Sequence, residues 1–340
     1  MSKRWNVAVV GATGAVGEVM LAILAERRFP VNEVYALASR RSAGSPVQFG
    51  ERTLRVEDLA TFDFRKAQIG LFSAGGEISA EYAPKAAEAG CVVIDNTAHF
   101  RYDDDIPLVV PEVNPGDIAR YQARGIIANP NCSTIQMVVA LKPLHDAVGI
   151  DRINVCTYQS VSGTGKEAID ELREQTQAAL AGTALPGRVY PKPIAFNVLP
   201  HIDVFLENGY TKEEMKMVWE THKILGDSAI RVNPTTARVP VVYGHSEAVH
   251  IETRRKIRAD EARALLAQAP GVVVLDERRA GGYPTAITEA AGQDAVFVGR
   301  IREDLSHPRG LDLWVVSDNL RKGAALNSIQ IAERLVENYL

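Results

Sequence analysis

Asn6-Val7-Ala8-Val9-Val10-Gly11-Ala12-Thr13-Gly14-Ala15-Val16-Gly17 is the stretch whose reading decides the fold. A short apolar strand runs into three glycines spaced three apart, and a helical pattern follows through Leu21, Leu24 and Ala25. Strand, glycine turn and helix in that order make a dinucleotide loop. Glycine lets the backbone approach a pyrophosphate, and the helix N-terminus supplies N–H groups and positive dipole. The spacing differs from the commoner Gly-x-Gly-x-x-Gly. A ligand-free glycine turn is the competing reading, and the position directly after the first strand weighs against it.

Further short apolar runs follow at Val34–Ala38, Ile69–Phe72 and Cys91–Asp95, with a helical stretch from Ser79 to Ala89 before the last. Strands alternating with helices predict a parallel, doubly wound sheet of Rossmann type. NAD-binding domains usually carry an acid at the end of the second strand to hold the ribose 2′-hydroxyl. Here the residues are Ser39-Arg40-Arg41-Ser42. Two guanidiniums and two hydroxyls suit a 2′-phosphate and point to NADP. A solvated basic turn is the alternative for either arginine taken alone.

The texture changes beyond Cys132. A helix is expected from Ser133 to about His145, then longer alternating strands at Arg152–Tyr158, Arg238–Tyr243 and Val249–Thr253. Alternation of that kind suits an antiparallel or mixed sheet with one covered face. Helices are expected over Thr164–Ala181 and Glu213–Ile224, a long loop over 182–200, and an amphipathic terminal helix from Ala324 to Leu340. The fold class is therefore α/β: a Rossmann domain over 1–130 and an α+β catalytic and dimerisation domain over 131–319. The boundary lies near Asn129, and the helix of about 320–340 is expected to pack back onto the first domain.

Composition excludes several function classes. The chain has 340 residues, 46% hydrophobic and 24% charged, with a formal net charge of -4. Such a length usually divides into two domains. No basic block suggests nucleic acid, and no run is long and apolar enough for a bilayer. The N-terminus shows no cleavage pattern, and three cysteines make no disulfide framework, so a cytoplasmic setting is expected. No His/Cys cluster has metal-ligand spacing, so no metal is expected.

The sharpest chemical signal is Asn129-Pro130-Asn131-Cys132-Ser133-Thr134-Ile135-Gln136. Pro130 breaks regular structure and a helix begins just after it. A cysteine at a helix N-terminus sits in a positive field that favours thiolate. A thiolate can attack an aldehyde or an activated acyl carbon. A lone cysteine is more often a small buried residue, and that bland reading is taken for Cys91 and Cys156, both in strands.

These motifs, taken with Tyr158-Gln159-Ser160-Val161-Ser162-Gly163, Glu213-Glu214-Met215-Lys216 and Arg238-Val239-Pro240-Val241-Val242-Tyr243-Gly244-His245-Ser246, resemble the aspartate-semialdehyde dehydrogenase family over nearly the whole chain. The resemblance implies a homodimeric, cytoplasmic enzyme of lysine/diaminopimelate, threonine, methionine and isoleucine biosynthesis. Its reaction is the reversible, NADPH-dependent reduction of β-aspartyl phosphate to aspartate semialdehyde with release of phosphate. By similarity, Cys132 is the nucleophile, His245 the general acid/base, and Gln159 orients the acyl-enzyme. Arg238 would bind the substrate α-carboxylate and Glu213 its ammonium; Arg101, Asn131 and Lys216 would hold phosphate. Cofactor contacts would come from Gly11, Ala12, Thr13, Gly14, Ala15, Val16 and Gly17, from Ser39, Arg41 and Ser42, from Ser73-Ala74-Gly75, and from Ser162, Gly163 and Asn319.

Several of these residues also have plain structural readings. Glu213 and Lys216 are three apart and share a helix face, so spacing alone favours an ordinary salt bridge. Arg101 follows an apolar strand, where ligands bind in parallel sheets, yet Asp103, Asp104 and Asp105 could simply neutralise it. His245 follows a presumed strand at Gly244, and a near-neutral imidazole can move the thiol and hemithioacetal protons. Two rivals remain. N-acetyl-glutamyl-phosphate reductase uses the same chemistry, but its nucleophile segment looks more like Asn-Pro-Gly-Cys-Tyr. A silent NADP-binding paralogue would be expected to lose Cys132, His245 or Gln159, and all three are present.

Overall fold

The structure, a computed structural model, describes residues 3–340. The chain divides into two compact units: one runs to Pro130 and takes in Ala324–Leu340, and the other is Asn131–Gly323.

The first unit is built on β1 (Trp5–Val10), β2 (Val31–Ala38), the hairpin β3 (Pro46–Phe49) and β4 (Arg52–Arg55), then β5 (Glu57–Asp58), β6 (Ile69–Phe72), β7 (Val92–Asp95) and β8 (Ile126–Ala128). Six of these form one sheet in the order β5-β2-β1-β6-β7-β8, and all five neighbouring pairs are parallel. Val7, Ala8, Val9 and Val10 have no exposed surface, as expected of a strand covered on both faces. The chain leaves β1 to one side for β2 and crosses to the other for β6. The loop after β1 therefore sits at the reversal of strand order, where open α/β sheets bind ligands. Helix α1 (Ala15–Glu26) buries Met20, Leu21, Ile23 and Leu24, and α2 (Gly76–Glu88) lies between β6 and β7 in the chain.

The second unit holds α3 (Cys132–Val148), β9 (Ile150–Gln159), α4 (Lys166–Leu180), α5 (Lys212–Leu225), β10 (Arg231–Arg238), β11 (His245–Thr253), α6 (Ala259–Gln268), β12 (Val272–Val274), β13 (Val296–Glu303) and β14 (Gly310–Ser317). Its sheet has the order β10-β9-β11-β14-β13-β12. It is mixed: β10 runs parallel to β9 and β12 to β13, while the central pairs are antiparallel. Along β9, Ile153, Val155, Thr157 and Gln159 are buried, while Cys156 and Tyr158 are exposed. The expected single covered face is present. Finally α7 (Leu326–Asn338) returns to the first unit and buries Leu326, Ile329, Ile331, Ala332 and Leu335 in its core with Val7, Val9 and Leu24.

Four local expectations need correction. Cys156, read as a small buried residue, is exposed on β9. Arg238–Tyr243 is not a strand, because β10 ends at Arg238. Pro240 lacks the N–H a ladder needs. His245 accordingly opens β11 and does not follow a strand. Cys91 stands one residue ahead of β7 and not within it, though it is buried as expected.

Candidate active site

In the first unit the glycine loop leaves no room for side chains at two places. Gly11 has φ +88°, and a Cβ there would lie 2.5 Å from the Ser73 carbonyl oxygen; at Gly17 it would lie 2.1 Å from the Gly11 carbonyl oxygen. Ala12 packs into the core, and Ala15 and Val16 open α1. A cleft of about 680 Å³ is lined by Gly11, Thr13, Gly14, Ser39, Arg40, Arg41, Ser42, Ser73 and Ala74. Asp58, Leu59, Ile78 and Tyr82 also line it and were not foreseen. Asp58 spends a carboxylate oxygen on the Ala60 N–H, 3.1 Å away. Gly75 is the residue before α2.

Arg101 lies in the loop after β7, buried, with Nη2 donating to the Asn96 carbonyl at 2.9 Å. Two of the three acids that follow it, Asp103 and Asp105, pair with Arg124 at 2.9 and 3.4 Å.

In the second unit Cys132 is the first residue of α3, as its sequence context predicted, and is half-buried. Asn131 is the cap: its Oδ1 accepts from the Ser133 and Thr134 N–H groups at 3.0 and 3.3 Å. Its Nδ2 donates to Glu213 Oε1 at 2.9 Å, and its backbone N–H donates to Glu220 Oε2 at 2.6 Å. Gly323 backs Cys132, since a Cβ there would stand 2.8 Å from the Cys132 Cβ.

Strand register assembles the rest. Arg238 pairs with Gln159, and His245 with Ser317. Ser246 pairs with Tyr158, which puts His245 on the rung of Gln159. Arg238, Gln159 and His245 thus stand in a row across three strands, on the buried face of the sheet. The next rung on that face is Thr236, Thr157 and Glu247. The rung after it, Pro234, Val155 and Val249, is apolar.

Gln159 Nε2 donates to Ser133 Oγ at 2.9 Å and to Glu213 Oε1 at 3.0 Å. Glu213 Oε2 accepts from Lys216 Nζ at 2.9 Å, and Lys216 also reaches Asp203 at 2.7 Å. Burial alone would raise the Glu213 carboxyl, but the Lys216 ammonium and the Lys216, Gln159 and Asn131 hydrogen bonds hold it at about 2. Burial also opposes the Lys216 charge, yet Glu213 and Asp203 raise that ammonium above its ordinary range. Spacing alone read this pair as a surface bridge; it is a buried one, whose further partner Asp203 sequence reasoning missed. Arg238 Nη1 donates to the Ser160 carbonyl at 2.7 Å.

His245 is fully buried, and burial, helped by the Arg238 charge, lowers its imidazole to about 3. The ring is therefore neutral at ordinary pH. Gly163 lies against it: a Cβ there would come within 3.5 Å of His245 Nε2 and 3.2 Å of Arg238 Nη1. Asn319 Oδ1 accepts from Ser160 Oγ at 3.0 Å, from Ser162 Oγ at 3.3 Å and from the Gly244 N–H at 3.0 Å. Three buried atoms of the first rung have no hydrogen-bond partner: Gln159 Oε1, Arg238 Nε and His245 Nε2. Buried polar atoms are rarely left so. An acceptor, a donor and an imidazole nitrogen in one row are what a zwitterionic substrate with a reacting carbonyl would engage. Among the described residues no cluster of His, Cys, Asp or Glu could hold a metal, and no helix is long and apolar enough to cross a membrane.

Residues 6–121 match the family described as semialdehyde dehydrogenase, NAD binding domain, and residues 141–322 match semialdehyde dehydrogenase, dimerisation domain. A nucleotide-binding parallel sheet joined to a mixed-sheet unit carrying cysteine, glutamine and histidine defines a semialdehyde dehydrogenase. The aspartate-semialdehyde dehydrogenase of Legionella pneumophila is 64% identical over 340 residues, covering 100% of this chain and 98% of that one. The crystal structure of aspartate semialdehyde dehydrogenase II of Vibrio cholerae, complexed with ASA, superposes with TM-score 0.98 at 59% identity, covering 100% of both chains. The Candida albicans enzyme, solved with NADP, gives TM-score 0.75 at 26% identity over 98% of each chain. The chain belongs to the aspartate-semialdehyde dehydrogenase family. It is an oxidoreductase of amino-acid biosynthesis with a nicotinamide-nucleotide binding domain.

Proposed function

We propose that the chain catalyses the reversible, NADPH-dependent conversion of L-aspartyl-4-phosphate to L-aspartate 4-semialdehyde and phosphate through a thioester on Cys132. The observation that carries this reading is the row Arg238, Gln159, His245, whose inward atoms have no partner in the protein. The Cys132 thiolate attacks the acyl phosphate carbon, the carbon–oxygen bond to phosphate breaks, and a thioester remains. NADPH, when bound, supplies the hydride that reduces it. Collapse of the resulting hemithioacetal alkoxide breaks the carbon–sulfur bond, freeing the aldehyde and restoring the thiolate.

Arg238 binds the substrate α-carboxylate through its guanidinium. Glu213 faces the ammonium, and Gln159 Oε1 offers a second acceptor while its Nε2 is fixed by Ser133 and Glu213. His245, neutral through burial, moves the proton at Nε2. Lys216 and Arg101 supply positive charge to phosphate. Asn131 holds the start of α3 with its cap oxygen, gives one Nδ2 N–H to Glu213, and offers the second to phosphate.

NADP is the cofactor of this reading. The glycines that no side chain can replace, and the cleft that ends in Ser39, Arg41 and Ser42, fit a dinucleotide with a 2′-phosphate. Ser162, Gly163 and Asn319 stand on the His245 side of the second unit and suit the nicotinamide end. The protein acts as a cytoplasmic homodimer. The exposed sheet face that carries Cys156 and Tyr158, with Trp314 5.6 Å from the Tyr158 ring, suits a second copy. A spectrophotometric assay with aspartate semialdehyde, phosphate and either NADP or NAD tests this. NADP reduction that requires phosphate supports it. Turnover with N-acetyl-glutamate semialdehyde in its place would replace the substrate, and no turnover with either would reject the activity.

A further inference from the structure

Helix α5 buries Glu213, Met217, Glu220 and Ile224 at the spacing of a single stripe. Met217 and Ile224 are ordinary core residues. Two carboxylates on the same stripe are not, because a carboxylate taken out of water is costly unless hydrogen bonds compensate it. Glu213 is accounted for by Asn131, Gln159 and Lys216. Glu220 stands two turns further along, is not among the residues that the sequence singles out, and has no exposed surface. Its Oε2 accepts the Asn131 backbone N–H at 2.6 Å.

Helix α5 therefore holds Asn131 at two points, the side chain through Glu213 and the main chain through Glu220. Asn131 is the first residue of the second unit and the cap of α3. Its carbonyl accepts the Ile135 N–H at 2.9 Å. Peptide groups are planar and stiff, so bonds to the N–H on one side of Asn131 and to the C=O on the other fix the main-chain frame that carries Cys132. The two ties to α5 differ in what turnover asks of them. Glu213 is the group read as facing the substrate ammonium, and a carboxylate drawn to a new cation holds the Asn131 amide less firmly. The bond from the Asn131 N–H to Glu220 takes no part in that exchange.

We propose that Glu220 is a positioning residue, whose carboxylate anchors the Asn131 main chain so that Cys132 keeps its place when Glu213 engages the substrate. The proposal rests on Cys132 as nucleophile and Glu213 as the ammonium ligand, and adds the group that makes the placement of the first independent of the second. Misplacing a reacting group by about 1 Å can cost about 10²-fold in rate, which sets the scale of the effect.

The test uses the full-length enzyme at a temperature well below the melting of every variant. Glu220→Met keeps the length of the chain and removes the acceptor. It should lower kcat by up to about 10²-fold, with KM for semialdehyde and NADP little changed, because Arg238 and the nucleotide cleft are untouched. Glu220→Gln keeps an acceptor oxygen without the charge, and a neutral hydrogen bond is about half as strong as a charged one. It should recover most of the loss and stay about 3- to 10-fold below the wild type. The NADPH burst on mixing with semialdehyde and NADP in the absence of phosphate should slow in Glu220→Met by the same factor as kcat, since the loss lies in the covalent stage. A purely structural role would lower the melting temperature and leave both kcat per folded molecule and the burst rate at their wild-type values. Wild-type kcat in Glu220→Met alongside an inactive Cys132→Ala overturns this inference alone, and so does a wild-type burst rate. Where Glu220→Met does not fold, wild-type kcat in Glu220→Gln overturns it. A fully active Cys132→Ala overturns it together with the covalent reading.

Discussion

Asn131 caps the helix that starts at Cys132 and, with the same side chain, donates to Glu213 Oε1 at 2.9 Å. The proposed nucleophile and the acidic group proposed for the substrate ammonium are thus tied through one amide. Sequence resemblance casts Asn131 as a phosphate ligand, and the geometry makes it a brace as well.

Asn131→Ala should cost about 0.5–2 kcal/mol of stability, the ordinary loss for an asparagine cap, and should lower kcat as well. Asn131→Asp keeps the cap oxygen but places a carboxylate against Glu213. It should melt closer to the wild type in a urea titration and yet turn over no better than Asn131→Ala. Full activity in the aspartate variant would mean that the tie to Glu213 has no catalytic weight.

Glu213 and Lys216 form a buried pair, and removing one member of such a pair usually costs about 3–5 kcal/mol because the other is left uncompensated. Lys216→Ala should therefore be less stable than Glu213→Gln, which leaves Lys216 with Asp203. Kinetically, Glu213→Gln should weaken semialdehyde binding with little effect on phosphate saturation, and Lys216→Ala the reverse. Identical kinetic profiles would reduce the pair to a structural bridge.

Glu247 sits fully buried beneath the catalytic row with neither carboxylate oxygen hydrogen-bonded. Burial raises its carboxyl well above the ordinary range, against a smaller pull from Gln136. A folded-state value raised in this way favours the folded protein fully below the unfolded carboxyl value and less as pH rises through it toward the folded one. His245, lowered to about 3, works in the opposite sense, adding stability above its unfolded value and losing it as pH falls. The two are separated by subtraction. The melting temperature of Glu247→Gln minus that of the wild type should grow from about pH 5 to about pH 8. A difference that stays constant with pH would contradict a protonated Glu247.

Arg41 and Arg40 both line the nucleotide cleft, and resemblance selects Arg41 for the 2′-phosphate. A charge-assisted hydrogen bond is worth about 1.5–3 kcal/mol, so Arg41→Ala should lower kcat/KM with NADP by roughly 10- to 150-fold. The value with NAD should barely change. Equal losses with both cofactors would show that Arg41 only supports the turn.

Much of this was legible in the sequence where local chemistry dictates structure. The loop 11–17 could be read because glycine there answers a steric demand of neighbouring backbone, and Cys132 because Asn131 and Pro130 announce a helix start. The strands β3, β4, β5, β8, β12, β13 and β14 were not read. Val272–Val274 and Ile126–Ala128 are too short to show a period, and β13 breaks its alternation at Gly299–Arg302, where its pairing with β14 shifts register. The row of Arg238, Gln159 and His245 depends on pairing between strands far apart in the chain, which spacing along one strand cannot reveal. Gly323, Asp203 and Ser160 were missed for the same reason. Each matters through a contact with a residue distant in sequence.

The central claim is the covalent thioester on Cys132. Mixing the enzyme with aspartate semialdehyde and NADP without phosphate should strand the acyl group, because the step that releases it needs phosphate. Rapid acid quench and peptide mass spectrometry should then find one aspartyl group on the peptide bearing Cys132, lost when phosphate is added and never formed in Cys132→Ala. An unmodified Cys132 under these conditions, with Cys132→Ala still turning over at a near-normal rate, would contradict the account.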